Sequence, residues 1–218
     1  MPNYLNSLYV NYIKRLLDII GSIAGIVLLF PLFLIISAAI KITSSGPVLF
    51  KQERIGLYGR KFEIYKFRTM IVGAEQMGTG LSIRSLTDSR ITKVGSFLRK
   101  TSLDELPQFI NILKGDMSIV GPRPPATYSP YKGYDAYPEW AKDRFNMSPG
   151  VTGLAQIVYR NNVEWDERFK LDIKYASDVS FGLDVKLVLK TVEKIIKRES
   201  VYGEVFLKKD KINIKQEN

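Results

Sequence analysis

The chain has 218 residues, of which 45% are apolar and 25% charged, and a formal net charge of +10 at pH 7. These proportions are typical of a folded globular protein, and the charge predicts anionic partners such as nucleic acid, anionic lipid or a phosphorylated substrate. The chain contains no histidine and no cysteine. This composition excludes histidine-dependent triads, thiolate nucleophiles and metal sites with His or Cys ligands, so any chemistry depends on carboxylates, lysine, tyrosine or hydroxyl groups.

The first predicted element is a run of 22 uncharged residues, Ile19–Ile40, which is long enough for a transmembrane helix. Pro31 lies near its middle and lacks the backbone N–H that helix continuation needs. Basic residues flank the run on both sides, at Lys14, Arg15, Lys41, Lys51, Arg54, Arg60 and Lys61. Because both flanks favour the cytoplasm, we predict a re-entrant helix that enters the membrane, breaks at Pro31 and returns. A single transmembrane span and a buried helix of a soluble protein are the alternatives.

Residues 48–70 predict a β-hairpin that turns around Tyr58 and Gly59, because apolar and polar residues alternate in its second half. Residues 78–90 have the composition of a loop. Leu183–Arg198 predicts a helix with one apolar face and one lysine-rich face. This helix either packs on the core or lies at a membrane surface, where its lysines meet anionic lipid. Together the elements predict an α+β fold, a mostly helical cytoplasmic domain with a small β-hairpin that follows the N-terminal membrane helix.

The most informative segment contains two adjacent carboxylates, Asp104 and Glu105. Pro107 is tolerated only near a helix start, so the pair is predicted in the first turn of a helix that continues through residues 109–113. Ser102 with Glu105 also fits a capping box. Carboxylates at the positive end of a helix stay ionised and lie where a phosphate would also bind, while plain helix capping is the simplest alternative.

A carboxylate that attacks a phosphoryl group needs an ionised oxygen, a divalent cation and cationic side chains that hold the leaving nucleotide. Asp104 or Glu105 can supply the oxygen, and the pair can share Mg²⁺, which prefers oxygen ligands. The candidate cations are Arg99, Arg123, Lys66 and Arg68. The residues alone leave open a non-enzymatic, membrane-anchored basic protein that binds anionic lipid or polymer. A nucleic-acid-binding domain is not indicated, because basic and aromatic residues are not interleaved on one face.

Three blocks, Ser102–Gln108 (SLDELPQ), Lys114–Ser118 (KGDMS) and Gly121–Pro124 (GPRP), follow one another closely. In this order and spacing they resemble the monotopic phosphoglycosyl transferases, known as the bacterial sugar transferase family. Lys14–Asp18 is similar to the Lys-Arg-x-x-Asp motif of that family, and Ser148–Gln156 is similar to its Pro-Gly-x-Thr-Gly-x-x-Gln block. The resemblance extends more loosely over most of the chain.

The resemblance implies transfer of a sugar-1-phosphate from a UDP-sugar to polyprenyl (undecaprenyl) phosphate, with release of UMP, as the first membrane step of bacterial glycoconjugate assembly. It implies that Asp104 is the nucleophile, which forms a phosphosugar intermediate, and a Mg²⁺ ligand. Glu105 supports the geometry of the pair. The candidate substrate-binding residues are then Arg99, Arg123, Lys66, Arg68, Gln156 and Arg160.

The resemblance also implies a helix broken at Pro31, although Phe30 replaces the serine that usually precedes this proline and Tyr159 replaces a usual glycine. The expected organisation is a membrane helix at residues 1–44, a catalytic domain at 45–200 and a polar tail at 201–218. The expected location is the cytoplasmic face of the bacterial inner membrane, with both termini in the cytoplasm. Expected partners are a UDP-sugar, polyprenyl phosphate and inner-membrane lipid, without nucleic acid, and self-association is left open. Neither the sugar nor the pathway is predicted.

Overall fold

The computed structural model describes residues 8–77, 88–159 and 163–197. Its α-helices are α1 (Lys14–Thr43), α2 (Lys93–Lys100), α3 (Gln108–Lys114), α4 (Glu139–Lys142), α5 (Leu154–Val158), α6 (Trp165–Asp178) and α7 (Phe181–Ile196). Its strands are β1 (Leu49–Ile55), β2 (Lys61–Phe67), β3 (Ser118–Val120) and β4 (Gly150–Thr152). Helices dominate and the strands form two small sheets, so the predicted α+β class is confirmed. Most of the predicted 78–90 loop and the whole 201–218 tail lie outside the described residues.

The predicted hairpin is present, with β1 antiparallel to β2 in a register that runs from Leu49 opposite Phe67 to Ile55 opposite Lys61. Its turn contains Tyr58, at φ +53°, followed by Gly59, at φ +77°. A side chain at Gly59 would also approach the ring of Tyr134 to 2.6 Å, so both space and backbone conformation require glycine there. The second sheet pairs β3 with β4 in parallel.

The structure does not divide the long apolar helix at Pro31. α1 is one helix with Pro31 inside it, and it begins five residues before the uncharged run, directly after a π-helical turn at Tyr9–Ile13. The proline removes one backbone hydrogen bond, at a cost of about 3 kcal/mol in a helix interior. The half of α1 after Pro31 remains attached to the domain, because Ile36 and Ile40 are buried in a cluster with Phe67 and Leu98.

One face of α1 packs on the rest of the protein, and its buried positions lie towards the two ends of the helix. The buried positions on this face are Lys14, Asp18, Ser22, Ile36 and Ile40. The opposite face exposes large apolar side chains, namely Leu16, Leu17, Ile20, Ile23, Val27, Leu28, Phe30, Leu34, Ile35 and Ile42. By length and composition alone, the helical stretch from Tyr9 to Thr43 could cross a membrane.

Helix α3 lies between α1 and the hairpin. The ring of Phe109 packs against Gly25 of α1 so closely that an added Cβ there would approach it to 2.9 Å. Ile112, on the same helix, is buried in a cluster with Ile64 of β2. Asn111 joins α3 to the strand, since its amide donates to the Glu63 carbonyl at 2.7 Å and its oxygen accepts from the Tyr65 amide at 2.9 Å. These contacts fix the helix that directly follows the two carboxylates.

The predicted C-terminal helix is confirmed as α7, which begins after Ser180, whose hydroxyl accepts a capping hydrogen bond from the Leu183 amide at 3.3 Å. Leu187 buries one side of this helix in the core. The other side leaves a row of apolar residues exposed, at Phe181, Val185, Leu189, Val192 and Ile196. Core packing therefore buries only part of the apolar surface of α7, and the remainder is exposed.

Candidate active site

The two adjacent carboxylates lie on a separate one-turn 3-10 helix, Leu103–Glu105, rather than in the first turn of α3 as predicted. Pro107 occupies the N-cap position of α3, because it lacks the N–H that a place further along the helix would need. The predicted capping box is also wrong. Ser102 has φ +56° and its side chain makes no capping hydrogen bond, so it acts as a left-handed bend before the carboxylates.

Two cations from distant parts of the chain hold Glu105. Its Oε1 accepts hydrogen bonds from Lys66 Nζ at 2.6 Å and from Arg123 Nη2 at 3.1 Å. Lys66 lies on β2, and Arg123 follows β3 between two prolines. Burial works to raise the pKa of Glu105, but the charges and hydrogen bonds of these two cations outweigh it and hold the pKa well below its usual range. Glu105 is therefore ionised and fixed in position.

Asp104 has a different environment from its neighbour. Among the described residues, none forms a hydrogen bond or salt bridge with its carboxylate, and the residue is half-buried. Burial raises the pKa of Asp104 above its usual value, while the charges of Lys66, Arg99 and Arg123 oppose the rise without cancelling it. Asp104 thus presents unoccupied oxygen atoms beside several positive charges.

Three of the predicted substrate-binding residues lie around the two carboxylates, and a fourth, Arg68, binds a different part of the protein. Lys66 and Arg123 meet at Glu105, and Arg99, whose Nε donates to Thr69 Oγ1 at 2.7 Å, acts on the pKa of Asp104 through its charge. The guanidinium of Arg68 instead binds Ser44 and Ser45 at the end of α1, and so attaches α1 to the hairpin.

Gln156 was predicted from the Ser148–Gln156 block, which contains β4, and Arg160 from the residues just after it. Gln156 lies on α5, and its two side-chain polar atoms are buried without a hydrogen-bond partner among the described residues. Its side chain lies next to Gly153, where an added Cβ would approach Gln156 Oε1 to 2.7 Å. Arg160 lies outside the described residues.

Sequence reasoning missed Arg54, which belongs to the same cationic group. In the β1–β2 register Arg54 pairs with Phe62, and Lys66 pairs with Phe50. Paired residues share a side of the sheet, as do residues two or four apart on one strand, so Arg54 and Lys66 lie on the same side of the hairpin. Arg54 donates to Gln52 and to the Pro124 carbonyl, beside Arg123. Burial, and then the charge of Arg123, lower the pKa of Arg54 to about 10. The alternation along β1 carried this signal, because it puts Arg54 on the face that Lys66 shares.

The site therefore has more cations than carboxylates. Asp104 and Glu105 face the positive charges of Lys66, Arg99 and Arg123, and Arg54 adds a further charge beside Arg123. Like charges that are held together in a half-buried region are costly unless an anion is bound there. The arrangement suits a substrate with more than one phosphate group, which an arginine fork can bind through paired oxygens.

The described residues contain no cluster of three or more acidic groups that could hold a metal ion by themselves. A Mg²⁺ ion usually binds one or two carboxylates and completes its shell with water and substrate phosphate, so such a cluster is not required. The open carboxylate of Asp104 fits this pattern, and Glu105, bound to two cations, is less available as a ligand.

A family model described as bacterial sugar transferase matches residues 9–198 of the chain. The chain belongs to the bacterial sugar transferase family. This sugar transferase is 44% identical over 193 residues to the galactosyl transferase CpsE of Streptococcus agalactiae, a match that covers 84% of this chain and 42% of CpsE. It is 40% identical over 190 residues to an uncharacterised sugar transferase, EpsL, of Bacillus subtilis, with 87% and 90% of the two chains covered.

A third relative of this sugar transferase is the UDP-glucose:undecaprenyl-phosphate glucose-1-phosphate transferase of Caulobacter vibrioides, which is 41% identical over 199 residues. That match covers 87% of this chain and 72% of the relative. Against CpsE and the Klebsiella pneumoniae transferase that carries the same glucose-1-phosphate name, the chain spans only about two fifths of the relative's length. The resemblance to a family of transferase enzymes is thus confirmed. The matched region contains Asp104 and Glu105, which form a carboxylate dyad, together with the cations around them.

Proposed function

We propose that this protein transfers a sugar-1-phosphate from a UDP-sugar to undecaprenyl phosphate through a phosphosugar intermediate on Asp104, with release of UMP. The observation that carries the proposal is the difference within the dyad. Glu105 is held by Lys66 and Arg123, whereas Asp104 presents open oxygen atoms beside the same cations. The names of relatives that act on UDP-sugars and undecaprenyl phosphate support this choice of substrates.

In the first step an Asp104 oxygen attacks the phosphorus that carries the sugar. A P–O bond forms to the carboxylate as the P–O bond to UMP breaks, and UMP leaves with the bonding electron pair. In the second step an oxygen of undecaprenyl phosphate attacks the same phosphorus and releases the carboxylate. Lys66 and Arg123 stabilise the charge on the transferring and leaving phosphates, and they also keep Glu105 in place.

Asp104 is also the residue we propose as a Mg²⁺ ligand, with Glu105 nearby as a fixed negative charge. Mg²⁺ would supply charge neutralisation on the phosphate oxygens of the substrate. Because the described part of this site offers one open carboxylate, the substrate phosphates must complete the shell, and the metal should bind weakly to the free protein. This accounts for a site with few acidic ligands and several cations.

We propose that the protein is attached to the cytoplasmic face of the bacterial inner membrane by a re-entrant helix rather than by a span. A straight helix with the length of α1 would be about 45 Å long, more than the roughly 30 Å of a bilayer core. Yet both its ends contact one folded unit, since Lys14 binds Asp184 at 2.5 Å and Ile40 is buried beside Phe67. A perpendicular span would carry one of these ends away from that unit.

The exposed apolar surfaces support the same mode of attachment. The outer face of α1 is apolar. The exposed apolar row on α7 lies close to the beginning of α1, because Tyr9, just before α1, packs edge-on against Phe181 with ring centroids 6.1 Å apart. Lysines on α7, such as Lys186 and Lys190, flank that row and suit anionic headgroups. The active site would then stay near headgroup depth, where the phosphate of a polyprenyl lipid is presented.

The activity can be tested with the full chain in nanodiscs that contain undecaprenyl phosphate and Mg²⁺. A panel of UDP-sugars should include one that yields UMP. In matched nanodiscs that lack undecaprenyl phosphate, brief incubation with this UDP-sugar should add the mass of a sugar phosphate to Asp104. The Asp104→Asn variant should give no adduct. Release of UMP without an adduct would contradict the covalent step, and no release from any UDP-sugar would contradict the activity.

The attachment can be tested separately, because the chain has no native cysteine. Single cysteines replace Tyr12 and Lys51, which are exposed before and after the apolar part of α1. A membrane-impermeant maleimide should label both positions in inverted inner-membrane vesicles and neither in intact spheroplasts. Labelling of Tyr12→Cys from the outside would establish a transmembrane span.

A further inference from the structure

The turn that carries Arg123 is held by its carbonyl groups. The Pro122 carbonyl accepts from the Gly150 amide at 2.9 Å, and the Pro125 carbonyl accepts from the Ile55 amide at 3.0 Å. The carbonyls of Arg123 and Pro124, which lie between these two in sequence, accept hydrogen bonds from arginine side chains. Prolines on both sides of Arg123 have no N–H to donate, so this turn depends on its acceptors for its position.

The Arg123 carbonyl accepts a hydrogen bond from Arg144 Nη2 at 2.7 Å, and the Pro124 carbonyl accepts one from Arg54 Nη1 at 3.2 Å. Arg144 lies far from the dyad in sequence and is 2% exposed. Its guanidinium also binds Asp172 Oδ2 through Nε at 3.0 Å and through Nη2 at 2.6 Å. Asp172, on α6, is equally buried.

The surroundings of this ion pair are aromatic. The Arg144 guanidinium lies 5.0 Å from the ring centroid of Phe145 and 4.7 Å from that of Phe169. A buried ion pair is seldom more stabilising than apolar residues of the same size, and one oxygen of Asp172 is buried here without a hydrogen-bond partner among the described residues. Apolar side chains could fill the same space, but they could not donate to the Arg123 carbonyl.

We infer that Arg144, oriented by Asp172, is a positioning residue, which holds the Arg123 turn so that the Arg123 guanidinium meets Glu105 and the leaving nucleotide. This inference rests on the proposed function and adds a residue to it. Arg144 does not touch the dyad, and its effect on catalysis passes through Arg123. Displacement of a binding arginine by about 1 Å can cost on the order of 100-fold in rate.

The test replaces the ion pair by apolar residues, Arg144→Met with Asp172→Leu, in the full chain in nanodiscs. This paired variant should fold, since no buried charge is left without a partner, but kcat/KM for UMP release should fall by about 10- to 100-fold. The Arg144→Lys variant retains a charge for Asp172 but cannot reach both acceptors with one fork, and should lose about tenfold. Ala141→Gly, in the same core, is the control for a decrease in melting temperature without loss of activity.

A double-mutant cycle separates positioning from general stabilisation. In an Arg123→Ala background the paired replacement should have no further effect on kcat/KM, because the side chain that it positions is gone. A folded paired variant with normal kcat/KM, or an equal loss in both backgrounds, would overturn the inference. If the paired variant does not fold, the same comparison with Arg144→Lys decides. Absence of UMP release by the unmodified protein would instead contradict the proposed function.

Discussion

Two clusters of carboxylates and cations in this protein use similar residues and differ in how many oxygen atoms are occupied. In the first, Asp184 Oδ2 accepts from Lys14 at 2.5 Å and from Tyr9 at 2.6 Å, while Oδ1 accepts from Tyr175 at 2.7 Å. In the dyad, one oxygen of Glu105 binds two cations and Asp104 binds none of the described residues.

The difference separates a structural cluster from a site that can receive a ligand. The cluster at Asp184 has balanced charge and occupied oxygens, and it joins the beginning of α1 to α6 and α7. The dyad has excess positive charge and an open carboxylate, which leaves it incomplete without an anionic substrate. Substitutions in the first cluster should therefore change stability, and substitutions in the second should change turnover.

The largest effect is expected from Asp104→Asn, which removes the proposed nucleophile and changes little in shape. We expect at least a 10⁴-fold decrease in kcat, or about 5 kcal/mol, because the amide cannot form the covalent intermediate. Melting temperature and membrane partition should not change. Asp178→Asn, on the exposed end of α6, is the matched control and should keep normal turnover. Substantial transfer by Asp104→Asn would contradict the proposed role of Asp104 as nucleophile and would indicate that the dyad, like the cluster at Asp184, is structural.

Lys14→Met tests the other side of the comparison. It leaves Asp184 buried without its cation, and we expect the free energy of unfolding to fall by about 3–5 kcal/mol. Urea denaturation in detergent micelles measures this. The control is Lys174→Met, which breaks the exposed pair with Asp178 and should cost less than about 1 kcal/mol. A kcat loss in Lys14→Met molecules that remain fully folded would contradict a purely structural role.

Local sequence patterns were sufficient for the elements whose packing is local. The alternation of apolar and polar residues predicted the hairpin, and the helical spacing of apolar residues predicted α7. In both elements the apolar residues recur at the regular spacing of a strand or a helix. The continuity of α1 across Pro31 was not predicted. A proline removes only one helix hydrogen bond, and the packing of the later half of α1 through Ile36 and Ile40 involves residues far away in sequence. The separate turn of Asp104 and Glu105 was missed for a more local reason, the left-handed backbone of Ser102.

The site was predicted only as far as neighbouring residues reveal it. Arg123 was found because its proline-flanked turn stands a short distance after the dyad. Arg68 and Lys66 are two residues apart on the same segment, yet one reaches the end of α1 and the other reaches Glu105. Arg144 was missed entirely, because a lone arginine before a phenylalanine has no pattern, and its contact with Arg123 exists only in three dimensions.

Arg123→Ala should have the next largest effect on turnover. Loss of one charge-stabilising donor should lower kcat/KM by about 100- to 1,000-fold, or roughly 2.7–4 kcal/mol, since in the proposed mechanism the side chain acts on both Glu105 and the leaving phosphate. UMP release measures the effect. Arg60→Ala, at the exposed hairpin turn, is the control for the loss of one positive charge and should stay within twofold of the unmodified protein. A similar small effect of Arg123→Ala would remove it from the nucleotide site.

The smallest expected effect is a displacement of the pH profile, and it separates the two carboxylates of the dyad. The proposed attack requires ionised Asp104. Burial raises the pKa of Asp104 above the ordinary 3.8, whereas Glu105 stays ionised because its pKa is lowered. Activity should therefore fall, as pH decreases, through a midpoint above 3.8. In Arg123→Ala the midpoint should move further up, because a charge that favours ionised Asp104 is lost, and in Arg60→Ala it should not move.

The same profile tests metal binding at Asp104. If Mg²⁺ binds the ionised carboxylate, a higher Mg²⁺ concentration favours that form and should move the acid midpoint down, in the direction opposite to Arg123→Ala. Removal of divalent ions with EDTA should abolish turnover. A midpoint that stays fixed while Mg²⁺ changes the rate would mean that the ion binds only the substrate phosphates. The open oxygens of Asp104 would then serve the nucleophile alone.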